Sequence, residues 1–327
     1  MNSVLAKVLI TEKFSTEAQI ALSTCGLLSV ERLSDLNLLI EKIADAEILI
    51  IRSKTKITKE LLTKAVKLKC IITCTSGFDH IDLVSTQEKN ITVMYTPDAN
   101  ALSAAELTWG LVIALSRKIL ECQKNIKAGT WNREQLSGFE LAKKTYGIIG
   151  LGRIGQKIAH FAKAFDMKVL TFDPYQDDDV FSKLNLQRSS YEEVLRQSDI
   201  ISYHVPKTKE TKNMFNRSHY DFVSRSTLII NTSRGGVVNE DDLAYGLENN
   251  LILGCALDVF DKEPLSRDSK LLKHQNVLLT QHMGALTEEA FQKASAEAAV
   301  LAIDFIKNKK IKNGLPLKNN WGSLSFD

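Results

Sequence analysis

Four of the 16 glycines in this chain fall within nine residues: Gly147, Gly150, Gly152 and Gly155. The last three form a Gly-x-Gly-x-x-Gly run between an apolar stretch, Thr145–Gly150, and an amphipathic one. A second apolar run, Lys168–Phe172, then ends on Asp173, 23 residues after Gly150. That spacing is close to the ~20 residues expected in a dinucleotide site. Gly150 permits a tight turn, Gly152 lets backbone approach a pyrophosphate, and Gly155 lets the following helix pack on the strand. The helix N-terminus offers unpaired N–H groups to the phosphates. Asp173 would accept hydrogen bonds from ribose hydroxyls and repel a 2′-phosphate. Pro174 and Tyr175 follow it rather than Arg, so the pattern favours NAD over NADP.

A second set of polar residues stands just beyond apolar runs, where ligands bind in open parallel sheets. Arg234 follows Thr227–Asn231, Glu263 follows Leu253–Asp258, and His282 follows Val277–Thr280. Moving a hydride to or from a carbinol carbon requires a proton acceptor or donor, and imidazole titrates near working pH. A carboxylate beside it fixes the ring. A guanidinium fork suits the carboxylate of a 2-hydroxy acid. His282, Glu263 and Arg234 fit these three tasks.

These residues need a scaffold, and the rest of the chain supplies one. At about 150 residues per domain, 327 residues suggest two domains. Short β-branched runs alternate with amphipathic stretches: Lys7–Thr11, Glu47–Arg52, Lys69–Thr73 and Ile91–Tyr95, then the six runs from Thr145 to Thr280. This alternation predicts parallel sheets covered on both faces. Helices are expected near Ser15–Cys25, Asp35–Ala44, Thr58–Val66, from Ala101 to Ala128 and from Thr287 to Lys307. Pro97, Pro174 and Pro206 each follow a run and stop the ladder.

Composition closes off other classes. Forty-two Lys and Arg against 39 Asp and Glu leave +3, too little basic excess for a nucleic-acid binder. Charges interrupt every apolar stretch well short of the ~20 residues that span a bilayer. Nothing at the N-terminus reads as a secretory leader. Cys25, Cys70, Cys74, Cys122 and Cys255 are scattered without a Cys-x-x-Cys. They read as reduced core thiols of a cytoplasmic protein, and no metal site is expected.

Taken together, Leu228–Glu240, Leu257–Pro264, His282-Met-Gly-Ala285, the glycine turn and Tyr203–Thr208 resemble the D-isomer-specific 2-hydroxyacid dehydrogenase family. The resemblance covers nearly the whole chain. It implies that Arg234, Glu263 and His282 are catalytic. It places cofactor contacts at Gly150, Gly152, Arg153, Ile154, Gly155, Asp173, His204, Val205, Pro206, Thr232, Ser233, Arg234, Asp258, His282, Gly284 and Ala285. Ile51–Thr55, Trp131–Arg133 and Gly138–Leu141 look most like the branch of the family that acts on D-3-phosphoglycerate and feeds serine biosynthesis. Arg52 would then meet the substrate phosphate, and Ser76 and Gly77 would join Arg234 at the substrate. Two departures from the family pattern are Gln281, where Pro is usual, and Lys143, where Gly is usual. Asp79-His-Ile-Asp82 is shared with glyoxylate and hydroxypyruvate reductases, the alternative substrate class. A non-catalytic NAD-sensing protein is a third reading.

The implied fold is α/β: two doubly wound parallel-sheet domains, with a Rossmann-type dinucleotide-binding domain (99–285) inserted in a flavodoxin-like substrate domain (1–98 and 286–327). The implied assembly is a homodimer, or a tetramer, with the Ala101 helix in the contact. The two domains take up all 327 residues, so neither a serine-binding regulatory domain nor feedback by serine is expected.

Overall fold

The computed structural model describes residues 5–316. Residues 1–4 and the expected end of the substrate domain, 317–327, lie outside the described residues. The chain divides into two compact units. One takes in the described residues through Ala101 and again from Ala285, and the other runs over Leu102–Gly284.

The strands of the described residues are, in chain order, β1 (Ala6–Ile10), β2 (Leu28–Arg32), β3 (Ile48–Ile51), β4 (Cys70–Thr73), β5 (Thr92–Tyr95), β6 (Thr145–Ile149), β7 (Lys168–Phe172), β8 (Ile200–Tyr203), β9 (Leu228–Asn231), β10 (Gly254–Leu257), β11 (Val277–Leu279) and β12 (Gly314–Leu315).

In the first unit the strand order is β12-β5-β4-β3-β1-β2. All pairs are parallel except β12 with β5, which is antiparallel. Strands β3 and β4 are buried at every position, because helices cover both faces and alternation in polarity is lost. Val8, Ile10, Ile48, Ile50 and Ile72 pack on Ala294, Ala298 and Phe305 of the helix Glu288–Asn308. Their neighbours in the strands, Leu9, Leu49, Ile51 and Ile71, turn to the other face and meet Ile43 and Leu62, as the two-residue period of a strand requires.

The second unit repeats the plan with the order β11-β10-β9-β8-β6-β7, all parallel. A single parallel bridge, Thr171 to Arg188, extends it beyond β7. It marks where a third strand of the usual dinucleotide fold runs. Both sheets, the glycine-turn placement and the parallel topology agree with the expected fold class.

Local differences have physical causes. The single helix expected over Ala101–Ala128 is two, Ala101–Ser116 and Ile119–Lys127. Lys118 between them takes a left-handed φ of 50°, which ends the i→i+4 ladder. The helix expected near Asp35–Ala44 is one turn, Leu39–Lys42, flanked by 3₁₀ turns. Strand β2 was not expected, since Leu28-Ser-Val-Glu-Arg32 has two apolar residues and pairs on one side with β1 alone. Strand β12 is two residues long and exists because β5 offers an open edge. Cys70, Cys74 and Cys255 are buried thiols, but Cys122 is exposed and Cys25 half-buried, so the core reading holds for three of the five.

Candidate active site

The turn after β6 fits a dinucleotide. Gly150 has φ +94°, and a Cβ there would lie 2.8 Å from the His204 carbonyl oxygen. At Gly155 a Cβ would lie 2.1 Å from the Gly150 carbonyl oxygen, so the helix Arg153–Ala164 can seat against the turn only without a side chain. At Gly152 a Cβ would meet nothing within 4 Å, leaving open space in front of the helix. Gly152 is also that helix's N-cap and makes no side-chain capping bond. An open space facing uncapped N–H groups is what a pyrophosphate needs.

Asp173, at the end of β7, is buried. One carboxylate oxygen accepts the Leu151 N–H at 2.8 Å, and the other accepts Tyr175 N–H at 2.9 Å and Gln176 N–H at 3.1 Å. It therefore ties the glycine turn to the loop after β7, a bracing role that its spacing alone did not reveal. The Arg188 guanidinium donates to the Asp173 carbonyl, to the Gln176 carbonyl and to the Asp178 carboxylate. His204, after β8, has its Nε2 2.8 Å from Ser202 Oγ, and its Nδ1 is buried without a partner. Burial pushes its pKa down to about 3, so the ring is neutral at physiological pH.

The loops after β9, β10 and β11 carry Arg234, Glu263 and His282 in the same unit. Asn231 shapes the first loop. Its side chain accepts from Ser233 N–H and Oγ and donates to the Arg234 carbonyl at 2.9 Å. Thr232 Oγ1 lies 2.7 Å from Thr108 Oγ1 on the helix Ala101–Ser116. The Arg234 Nη1 donates to the Ser233 carbonyl at 2.7 Å. At Gly235 a Cβ would lie 1.8 Å from the Phe260 carbonyl oxygen, so this glycine lets the second loop lie against the first.

In the second loop Glu263 accepts the Phe260 N–H at 3.1 Å through Oε1 and meets His282 Nδ1 at 2.8 Å through Oε2. A carboxylate only accepts, so the hydrogen sits on Nδ1 and Nε2 is left as the acceptor. His282 itself has φ 49°. Its unusual turn is held by Asp258, whose carboxylate accepts Thr280 Oγ1 at 2.6 Å, Met283 N–H at 2.8 Å and Gly284 N–H at 2.9 Å. The Asp258 carbonyl takes the His282 N–H at 2.8 Å. Sequence reasoning singled out Asp258 but not this job; Asn231 and Thr108 it missed. A local signal existed only for Asn231, since an Asn side chain commonly forms a turn by bonding the backbone two residues on.

The substrate candidates other than Arg234 lie in the other unit. Arg52 directly follows β3. Ser76 and Gly77 follow β4 in a turn closed by Thr75 Oγ1 donating to the Gly77 carbonyl at 2.6 Å. Among the described residues no group of three His, Cys, Asp or Glu could hold a metal ion, and no helix is long and apolar enough to cross a membrane.

Comparison with known proteins places this arrangement. A family model for the NAD binding domain of D-isomer specific 2-hydroxyacid dehydrogenases matches residues 109–284. The chain is 36% identical over 316 residues to a D-3-phosphoglycerate dehydrogenase of Methanocaldococcus jannaschii, covering 96% of this chain and 60% of that protein. It is 35% identical over 318 residues to the enzyme of the same name from Bacillus subtilis, covering 95% of this chain and 59% of that protein. The chain thus spans about 60% of the length of these curated relatives. A D-lactate dehydrogenase from Aquifex aeolicus, solved with NAD and lactic acid, superposes with a TM-score of 0.82 at 31% identity. That match covers 92% of this chain and 96% of that one.

Proposed function

This chain belongs to the D-isomer specific 2-hydroxyacid dehydrogenase family, and on that footing we propose that it moves a hydride between NAD and a D-2-hydroxy acid, with D-3-phosphoglycerate and 3-phosphohydroxypyruvate as the substrate pair. The observation that carries this is the 2.8 Å pair of His282 and Glu263, on the same unit as the open, uncapped glycine turn.

Bound NAD supplies the hydride acceptor. His282 Nε2 takes the hydroxyl proton, while Glu263 keeps Nδ1 protonated and balances the imidazolium that forms. Arg234 holds the substrate carboxylate with its fork. Arg52 takes the phosphate. Gly150, Gly152, Arg153, Ile154 and Gly155 receive the pyrophosphate, Asp173 the adenosine ribose, and His204, Val205 and Pro206 border that site. Thr232, Ser233, Asp258, Gly284 and Ala285 frame the nicotinamide end. In this reading Leu102–Gly284 is the dinucleotide unit and the other unit the substrate domain. The exposed Ile119, Leu120, Ile126 and Trp131 support a homodimer, and five unpaired cysteines suit a reducing cytoplasm.

The test is a substrate panel with NAD(H) and NADP(H). Reduction of NAD by D-3-phosphoglycerate and oxidation of NADH by 3-phosphohydroxypyruvate are expected to exceed turnover of glyoxylate, hydroxypyruvate and pyruvate. Preference for unphosphorylated keto acids would overturn the substrate. NADH binding without turnover of any of them would overturn the enzyme.

A further inference from the structure

The sheet of the first unit has its own topological switch point, and side-chain cations stand beside it. In the order β5-β4-β3-β1-β2 the chain reverses direction of winding between β1 and β3. Ligands of open parallel sheets bind at such a point, beyond the carboxyl ends of the strands. Glu12 and Lys13 follow β1 and Arg52 follows β3, so the two loops flank that point.

Arg52 and Lys13 converge on one aromatic ring. The Arg52 guanidinium carbon is 5.4 Å and the Lys13 Nζ 4.8 Å from the centroid of Phe291. The two cationic heads are therefore no more than about 10 Å apart, held by the negative face of the ring. Among the described residues neither has a carboxylate partner, and the Nη1 of Arg52 is buried without a hydrogen bond. A buried donor left unpaired is costly unless a ligand pairs it.

Two carboxylates, Glu12 and Glu297, lie near enough to act on buried Cys74 together with Arg52, and the oxygens of Glu12 are turned to the backbone. Glu12 Oε1 accepts Arg52 N–H at 3.0 Å, Thr55 N–H at 2.9 Å and Thr55 Oγ1 at 2.9 Å, and Oε2 accepts Lys54 N–H at 3.4 Å. Thr11 Oγ1 adds a contact to Thr55 Oγ1 at 2.7 Å. Glu12 thus shapes the loop that carries Arg52 and holds the backbone from which the guanidinium projects, without an ion pair to it.

We propose that Lys13 is a second cation beside Arg52 at the phosphate position assigned to it above, with Glu12 as the positioning residue of the loop. The proposal rests on the reading of Arg52 given above and adds Lys13 and Glu12 to it. Arg52 supplies a planar fork and Lys13 a point charge, a pairing suited to a dianion with three equivalent oxygens.

Lys13 is exposed, so Lys13→Met leaves packing intact. Inorganic phosphate titrated into the full chain without cofactor, followed by phosphorus NMR line broadening, should bind the wild type about tenfold more tightly than Lys13→Met, the equivalent of one charge-assisted hydrogen bond. Added salt should narrow the difference. Equal affinity in the two proteins overturns the role of Lys13. A second arm compares kcat/KM for D-3-phosphoglycerate with that for D-glycerate, and the ratio should fall about tenfold in Lys13→Met. A wild type that binds phosphate through Lys13 yet has no preference for the phosphorylated acid keeps the anion site and overturns the substrate reading instead. A preference that survives Lys13→Met intact overturns the site.

Discussion

The two units share one winding order, yet the first turn of each does different chemistry. After β6 the chain turns on Gly150 and enters its helix through Gly152, which caps nothing. After β1 it turns through Glu12 and enters the helix Thr16–Thr24 through Ser15, whose Oγ accepts the Ala18 N–H at 3.1 Å. The Ser15 N–H is itself bonded to Ser295 Oγ at 3.2 Å. One helix N-terminus is sealed by its own side chains and serves stability, whereas the other is left open toward space a ligand can fill. The same topology thus leaves an uncapped helix N-terminus in one unit and side-chain cations, Lys13 and Arg52, in the other. A helix dipole becomes a binding device only when its cap is withheld.

That contrast can be broken by filling the open cap. Gly152→Glu places a carboxylate in the free space and is expected to weaken NADH binding at least about 100-fold, roughly 3 kcal/mol. Stability to urea should stay nearly unchanged because no atom is displaced. A fluorescence titration of NADH beside a urea melt reads both.

The next effect belongs to His204, behind the glycine turn. Its folded pKa of about 3 lies below the ordinary value of 6.5, so on acidification the unfolded chain takes the proton first. Its share of stability is whole above pH ~6.5 and is lost as pH falls toward 3. Between pH 6.5 and 5 the wild type should lose about 2 kcal/mol more than His204→Gln, measured by urea unfolding at each pH. Equal losses would show that burial does not hold the ring neutral.

On the sealed side, Ser15→Ala should cost about 1 kcal/mol and leave NADH affinity as it was. A change in NADH affinity would defeat the distinction between the two caps. The smallest effect is a gain. Lys143 occupies a left-handed φ of 64° at a position where glycine carries no steric penalty, so Lys143→Gly should add about 0.5–1 kcal/mol, seen as a higher Tm.

Much of this was legible in the chain. Alternating apolar runs gave the strands of both sheets to within a residue or two, and glycine spacing located the tight turn after β6, because both signals are local. The glycines at 150 and 155 are demanded by close backbone approach, and glycine is the one residue type that permits it. Strands β2 and β12 were not legible, since each is completed by a neighbour's open edge rather than by its own pattern.

The residue types and spacings alone determined which side chains could do the chemistry: Arg234, Glu263, His282 and Asp173. Only the tertiary structure decided how they are held. It brought Glu263, 19 residues before His282, into hydrogen-bond distance. It gave Asp258 the turn that carries the histidine, and Asp173 the brace on the glycine loop. It also turned Arg52 and Lys13, 39 residues apart in the chain, onto one ring 278 residues beyond Lys13. A side chain's chemistry is fixed by its own bonds, but the partner that orients it is chosen by the order in which strands lie side by side, and that order is a property of the folded sheet.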